Sequence, residues 1–181
     1  MSEREVLLGV SGGVAAYKSA ALVSQLVQGG VEVTVVMTRS ATQFVGPATF
    51  AALTGRPVAL ELFDAAYPLG AHIALAERAD LFCIAPATAS FLAKAANGLA
   101  DDLLSTLYLS FTGSVLVAPA MNSQMWEKAA VQRNVAQLQK DGVQIVAPEA
   151  GWLSCRQQGV GRMAAPESIH DAMKKLLAIS D

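Results

Sequence analysis

The sequence predicts an α/β protein with a doubly wound parallel sheet, built as a single domain over residues 1–181. Short apolar runs recur along the chain, and segments of helical length separate them. Within each run the apolar character is continuous rather than alternating, which is typical of strands covered on both faces. Strands and helices that alternate in this way favour a parallel sheet with right-handed crossovers.

The strands and helices can be assigned in chain order. The apolar runs predict five strands, at 5–10, 31–37, 81–85, 114–118 and 143–147. The segments between and after them predict helices at 14–28, about 41–53, 89–110 with a break near Gly98, 124–140 and 166–178. The last helix has proline and glutamate at its start and paired lysines later, which is ordinary helix polarity.

Three of the predicted strands end alike, in "IAPATAS", "VAPAMNS" and "VAPEAGW". Pro86, Pro119 and Pro148 would each stop a strand at the same edge of the sheet. In open α/β sheets, ligands bind in the crevice beyond the carboxyl ends of the strands. We therefore expect a ligand site at this edge, although the prolines alone would also be explained as strand terminators.

Composition limits the possible functions. Of the 181 residues, 53% are hydrophobic and only 15% are charged, so we expect some apolar surface to be buried between subunits. A net charge of −2 gives no reason to expect a nucleic acid or an anionic membrane as a partner, and Cys83 and Cys155 have no metal-ligand spacing. No apolar run reaches membrane-spanning length and no signal peptide is evident. These features predict a cytoplasmic protein with a small-molecule partner and no metal.

The first predicted strand leads into "GVSGGVAAYK", a glycine turn that opens a helix. Backbone N–H groups at such a helix start, with no side chains at Gly12 and Gly13, suit phosphate or another electron-rich group. The stretch matches neither a dinucleotide fingerprint nor a P-loop. The second strand ends near Thr38, Arg39 and Ser40, which favours a mononucleotide phosphate over NAD and leaves NADP open.

Several longer stretches resemble the flavin-dependent cysteine decarboxylase family. They are "SGGVAAYK", "APATASFLAKAANGLADDLLST", "PAMNSQMW" and the "GRM" that follows Cys155, and the resemblance covers about residues 4–166. The most specific is "PAMNSQMW", which fits the family pattern P-x-M-N-x-x-M-W at every fixed position. The resemblance implies a flavodoxin-like, Rossmann-like three-layer sandwich that binds FMN at the carboxyl edge of the sheet, as a homotrimer or as a dodecamer of trimers.

The resemblance also implies which residues contact FMN. It places one group by the flavin, a second by the ribityl chain or phosphate, and a loop that completes the phosphate pocket. The family's usual loop is P-A-S-A-N-T, so this chain departs from it at Ser90 and Phe91. The implied cofactor residues are Gly12, Gly13, Val14, Thr38, Ser40, Pro86, Ala87, Thr88, Ala89, Ser90 and Ala120.

For catalysis, the resemblance implies that His72 is the active-site base, since a group with a pKa near neutrality suits proton transfer. For a lone histidine, a turn cap is the alternative. Asn122 would hold the substrate carboxylate without adding negative charge. Cys155 would act as an acid on a substrate flap around 149–165, with an incidental surface thiol as the alternative. Further substrate contacts are expected from Ser154, Met163 and Lys18, the last of which could equally be a solvated lysine.

The activity implied is FMN-dependent decarboxylation of 4′-phosphopantothenoylcysteine to 4′-phosphopantetheine in coenzyme A biosynthesis, by a stand-alone enzyme. The thiol side is oxidised to a thioaldehyde, CO2 leaves, and the ene-thiol is reduced. Three alternatives remain, namely a peptidyl-cysteine decarboxylase, a flavin prenyltransferase and a non-enzymatic regulatory subunit. Cys155 favours the first activity, because peptide decarboxylases generally lack this loop cysteine.

Overall fold

A five-stranded parallel sheet organises residues 4–177, which are the residues that the computed structural model describes. Its strand order is β2-β1-β3-β4-β5, and every neighbouring pair is parallel. The strands are β1 (Glu5–Val10), β2 (Glu32–Met37), β3 (Leu81–Ala87), β4 (Ser114–Pro119) and β5 (Gln144–Ile145). The order reverses between β1 and β3, as expected of a doubly wound fold, so the predicted fold class is confirmed.

Helices cover both faces of this sheet. They are α1 (Ala16–Gln28), α2 (Pro47–Thr54), α3 (Ala71–Arg78), α4 (Ala89–Asn97), α5 (Leu103–Ser110), α6 (Ser123–Trp126), α7 (Ala129–Lys140) and α8 (Pro166–Leu177). One core layer joins the sheet to α1, α2 and α8, and the other joins it to α3, α4, α5 and α7. None of the helices within residues 4–177 has the length and apolarity that a membrane span requires.

Alternation along each strand divides its side chains between the two layers. On β1, Val6 and Leu8 belong to one core layer and Leu7 to the other. On β3, Cys83 lies in the first layer and Phe82 in the second, and both side chains are completely buried. Continuous apolar runs are therefore required, because neither face of the sheet meets water.

Local signals explain where the predicted helical segments divide. The 89–110 segment is two helices, because Gly98 caps α4 in the left-handed conformation with φ 68°. The side chain of Asp102 then accepts from the Ser105 amide and begins α5 in a capping box. The predicted 41–53 helix is a short 3-10 turn at Ala41–Gln43 followed by α2, which begins at Pro47.

Several features differ from the sequence-based assignment. The predicted 124–140 helix is divided into α6 and α7, and β5 ends at Ile145, so Pro148 does not end that strand. Helix α3 was not predicted, because it is only two turns long and buries just Ala71 and Leu75. Strand β3 continues through Pro86 to Ala87, so that proline does not end the strand. The predicted flap is an antiparallel hairpin, β6 (Glu149–Trp152) and β7 (Gln158–Arg162), rather than an irregular loop.

Candidate active site

A cavity of about 630 Å³ opens at the carboxyl edge of the sheet. The loops after β1, β2, β3 and β4 form its floor and walls, and the β6–β7 hairpin lies across it. The ends of the predicted strands had indicated a ligand site at this edge, and the cavity lies there. The sequence-predicted residues that line the cavity are Gly12, Gly13, Val14, Lys18, Thr38, Ser40, Thr88, Ala89, Ser90, Ala120, Asn122, Ser154, Cys155 and Met163.

The turn after β1 owes its shape to glycine. A Cβ atom on Gly12 would clash with the Ser40 side chain and would lie 2.9 Å from the Ser40 carbonyl carbon. Gly12 therefore lets the β1 and β2 loops meet. A Cβ on Gly13 would meet only Thr88, at 3.7 Å, so this residue leaves the cavity wall free of side chains.

Ser11 connects the loops of the cavity floor, although its sequence context did not predict it as a site residue. Its hydroxyl donates to the Pro86 carbonyl at 2.7 Å and accepts from the Thr88 amide at 2.9 Å. Thr88 in turn is the N-cap of α4, and its hydroxyl accepts from the Phe91 amide. The amides of Ala89 and Ser90 then remain at the positive end of α4, which lines the cavity and suits an anion. The position of Ser11 directly before the two turn glycines was the signal that could have identified it.

Pro86 and Ala87 correct the predicted cofactor loop, because neither lines the cavity. Both belong to β3, and the loop begins one residue later, at Thr88. The Pro86 carbonyl is used by Ser11, and the Ala87 carbonyl accepts from the Ala120 amide at 3.0 Å. These two residues support the wall from behind.

Asn122 and Cys155 come together although they are 33 residues apart in the sequence. The side-chain amide of Asn122 donates to the Cys155 sulfur, with Nδ2 3.4 Å from Sγ. The other end of that amide is fixed, because its oxygen accepts from the Gln124 amide at 2.8 Å and caps α6. An oriented amide and a thiol thus share the mouth of the cavity.

The turn that carries Cys155 has a defined geometry. The Leu153 amide donates to the Gln157 carbonyl at 2.8 Å, and the Arg156 amide donates to the Leu153 carbonyl at 2.9 Å. Arg156 has φ 62°, in the left-handed region that favours glycine. Cys155 is exposed on this turn.

Gly159 and Gly161 allow the hairpin to pack closely against the body of the protein. A Cβ on Gly161 would clash with the Met121 carbonyl oxygen, and one on Gly159 would clash with the Ser123 hydroxyl. The Met121 amide also donates to the Gly161 carbonyl at 2.9 Å. Strand β7 therefore lies directly against the loop between β4 and α6.

The base of the hairpin carries charged groups that line or flank the cavity. The Lys18 ammonium donates to the Met163 carbonyl at 2.9 Å, while the Met163 side chain itself is buried in the core. Burial and the nearby Arg162 charge lower the pKa of Lys18. The hydrogen bond from the Ala165 amide and that from Arg162, at 3.0 Å, lower the pKa of Glu149. Arg162 was quoted in "GRM" but was not predicted as a site residue.

His72 is the one predicted catalytic residue that the structure does not bring to this cavity. It is the second residue of α3, and its ring packs over Gly70, whose φ is 98°. Its Nδ1 atom is buried and has no hydrogen-bond partner within residues 4–177. In that same part of the chain, no group of three His, Cys, Asp or Glu side chains is arranged to hold a metal ion.

Comparisons with known proteins agree with this architecture. A family model described as Flavoprotein matches residues 1–178. The coenzyme A biosynthesis bifunctional protein CoaBC of Bacillus subtilis (strain 168) is 46% identical over 179 residues, which are 98% of this chain and 44% of that protein. The chain therefore spans less than half the length of that curated relative.

Two solved structures are similar over nearly the whole chain. The FMN-dependent cysteine decarboxylase SpaF is 37% identical, with a TM-score of 0.85 over 98% of this chain and 96% of that one. A PPC decarboxylase with a cysteine-to-serine substitution, complexed with pantothenoylaminoethenethiol, is 30% identical, with a TM-score of 0.87 over 97% of this chain and 99% of that one. These comparisons confirm the resemblance that the motifs indicated.

Proposed function

Because the chain belongs to the Flavoprotein family, we propose that it binds FMN and converts 4′-phosphopantothenoylcysteine into 4′-phosphopantetheine and CO2 in coenzyme A biosynthesis. The observation that carries this proposal is the pairing of Asn122 with Cys155 at the mouth of the cavity. An amide suits the carboxylate that leaves, and a thiol suits the proton that the product needs. The CoaBC relative and the PPC decarboxylase structure support the same substrate.

The donor set of the cavity fits FMN. Hydroxyls of Thr38, Ser40 and Thr88, with the amides that begin α4, suit a phosphate and a ribityl chain. Gly13 and Ala120 present a wall without bulky side chains, which a flat ring system requires. The similar SpaF structure is named as FMN-dependent, which supports this cofactor.

Bound FMN would supply the electron acceptor that a cysteine amide lacks when its Cα–carboxylate bond breaks, and its reduced form would return the same two electrons when the ene-thiol becomes the product thiol. Asn122 would orient that carboxylate, and the cavity would keep water from the reacting thiol. His72 would take a proton from the substrate. Cys155 would return a proton to the ene-thiol carbon once CO2 has left, which its place on the hairpin allows.

This chemistry requires a second copy of the chain. His72 lies away from the cavity of its own chain, so we propose a homotrimer, alone or assembled into a dodecamer of trimers, in which His72 of one copy approaches the cavity of the next. Exposed apolar side chains near His72 in sequence support such a contact, since Phe63 is 95% and Leu69 81% exposed. We propose the cytoplasm as the place of action, consistent with the composition.

The proposal is tested by incubating the FMN-loaded protein with 4′-phosphopantothenoylcysteine and identifying the product by mass. We expect release of CO2 and formation of 4′-phosphopantetheine without added reductant. The Cys155→Ser variant should release CO2 but accumulate the ene-thiol or its oxidised form, whereas Cys83→Ser is the matched control and should form the normal product. Protein that takes up no flavin on reconstitution would contradict the family-based proposal.

A second candidate function is decarboxylation of a peptide that ends in cysteine, since the similar SpaF structure is named as a cysteine decarboxylase without a pantothenoyl substrate. Cys155 separates the two proposals, because a peptide decarboxylase releases the ene-thiol and has no need of a second proton donor. A competition between 4′-phosphopantothenoylcysteine and a cysteine-terminated peptide, followed by mass analysis of both products, distinguishes them.

A further inference from the structure

Two cations line the cavity at the base of the hairpin. Lys18 stands on the first turn of α1, and Arg162 is the last residue of β7. The Lys18 ammonium donates to the Met163 carbonyl and forms no ion pair with any residue of the described range 4–177. Its remaining N–H groups are therefore available to a ligand.

The acidic groups around this pair are already engaged. Glu149 binds Arg162 at 3.0 Å through one carboxylate oxygen and accepts from the Ala165 amide through the other. Glu167 accepts from the Gln25 side chain and is exposed, so solvent screens its attraction for Lys18.

Lys94 also lines the cavity, but its charge is paired with carboxylates. It forms ion pairs with Asp101 at 2.6 Å and with Asp102 at 2.8 Å, so two carboxylates balance its charge. At the base of the hairpin, by contrast, Lys18 has no paired carboxylate within residues 4–177 and lies beside the Arg162–Glu149 ion pair, so its positive charge remains available to an anion.

The distance from the base of the hairpin to Cys155 matches the length of the substrate between its cysteine and its phosphate. Cys155 is at the tip of the hairpin, and β7 runs from Gln158 to Arg162, an advance of about 13 Å. In 4′-phosphopantothenoylcysteine, about ten bonds separate the cysteine nitrogen from the phosphorus. If each bond lengthens the molecule as much as a bond of extended backbone does, the two atoms are roughly 12 Å apart. A substrate with its cysteine at the tip can therefore extend its phosphate to the base.

Resting on the proposed function, we propose that Lys18 and Arg162 bind the phosphate of the substrate and so select the phosphorylated form over pantothenoylcysteine. Lysine contributes a compact point charge, and the guanidinium contributes paired donors that match phosphate oxygens. Gly151 helps to orient the arginine, because a Cβ there would lie only 3.2 Å from the guanidinium carbon.

The test compares kcat/KM for 4′-phosphopantothenoylcysteine and pantothenoylcysteine in the FMN-loaded protein. In Lys18→Met and Arg162→Met, the preference for the phosphorylated substrate should fall about 10- to 100-fold, the usual effect of losing a charged hydrogen bond. Lys18→Arg should retain most of the preference. Lys140→Met and Arg133→Met, exposed on α7, are the matched controls and should keep the wild-type ratio.

A second measurement reads binding directly, by calorimetry of 4′-phosphopantetheine against pantetheine on the same proteins. Gly151→Ala should weaken binding of the phosphorylated compound while the melting temperature changes little. The assignment would be overturned if both Met variants kept the wild-type preference for the phosphorylated substrate. It would also be overturned if the variants lost affinity for FMN while that preference stayed unchanged. If the wild-type protein decarboxylates neither substrate, the proposed function itself fails, and this inference fails with it.

Discussion

Replacing Gly161 by alanine should detach the hairpin from the body of the protein. Gly161 has φ 146°, a conformation that side chains rarely adopt. The added Cβ would clash with the Met121 carbonyl oxygen and would lie 3.4 Å from the Asn122 carbonyl carbon. These neighbours are backbone atoms, so no side-chain rotation can relieve the contact.

The expected cost has two parts. A backbone conformation of this kind costs about 1–3 kcal/mol when a residue other than glycine is forced into it. The hydrogen bond from the Met121 amide to the Gly161 carbonyl, now 2.9 Å, contributes a further ~0.5–1.5 kcal/mol. Gly161→Ala should therefore lose about 1.5–4.5 kcal/mol of unfolding free energy, which in a chain of this size lowers the melting temperature by roughly 3–18 °C.

Urea unfolding followed by circular dichroism measures this loss, and Gly30→Ala is the matched control. Gly30 also has a positive φ, 78°, but a Cβ there would meet no atom within 4 Å. It should therefore cost only about 1 kcal/mol. Equal losses in the two variants would show that the contact with Met121 does not hold the hairpin, and the packing argument would then be wrong.

Four further predictions concern the core, the cavity floor and the site. Phe82→Ala should cost about 3–5 kcal/mol in urea unfolding, because the ring is completely buried and packs edge-on against Phe111. Ser11→Ala should weaken FMN binding, measured by flavin fluorescence, because the Thr88 amide loses its acceptor; exposed Ser168→Ala should not. Asp102→Ala should cost ~1 kcal/mol as a lost cap of α5. Burial acts to raise the pKa of Asp102, but hydrogen bonds from Lys94 and Ser105 outweigh it and lower the pKa. The stabilisation by Asp102 should therefore be present above a pH of about 4 and fade as the pH falls further. A cost of Asp102→Ala that stays the same at low pH would contradict this. His72→Asn should lower the decarboxylation rate about 10²- to 10⁴-fold, whereas His170→Asn on α8 should not.

The parallel sheet was predictable because each strand is buried on both faces. Val6, Leu8 and Leu7 read as one apolar run whichever face they cover, so the strand is evident although its orientation is not. Gly98 and Asp102 likewise mark a helix end and a helix start within the chain itself. Such local signals were enough to locate the five strands of the parallel sheet and the edge where the cavity opens.

What could not be predicted depends on contacts between distant segments. The hydroxyl of Ser11 matters because β3 brings Pro86 and Thr88 beside it, which no local pattern encodes. The packing role of the hairpin glycines was not predicted, because glycines that allow close packing look the same in sequence as glycines that allow motion. His72 was grouped with Asn122 by resemblance, and a single chain does not bring the two into one cavity.

The burial of Cys83 gives the protein a single reactive thiol within residues 4–177. Cys83 lies at the centre of β3, where burial raises its pKa and keeps it protonated, whereas Cys155 is exposed at the hairpin tip. An alkylating reagent at neutral pH should therefore modify one site and leave the core intact. The native sequence thus provides its own labelling position, at which a spectroscopic probe would report substrate arrival without any engineered cysteine.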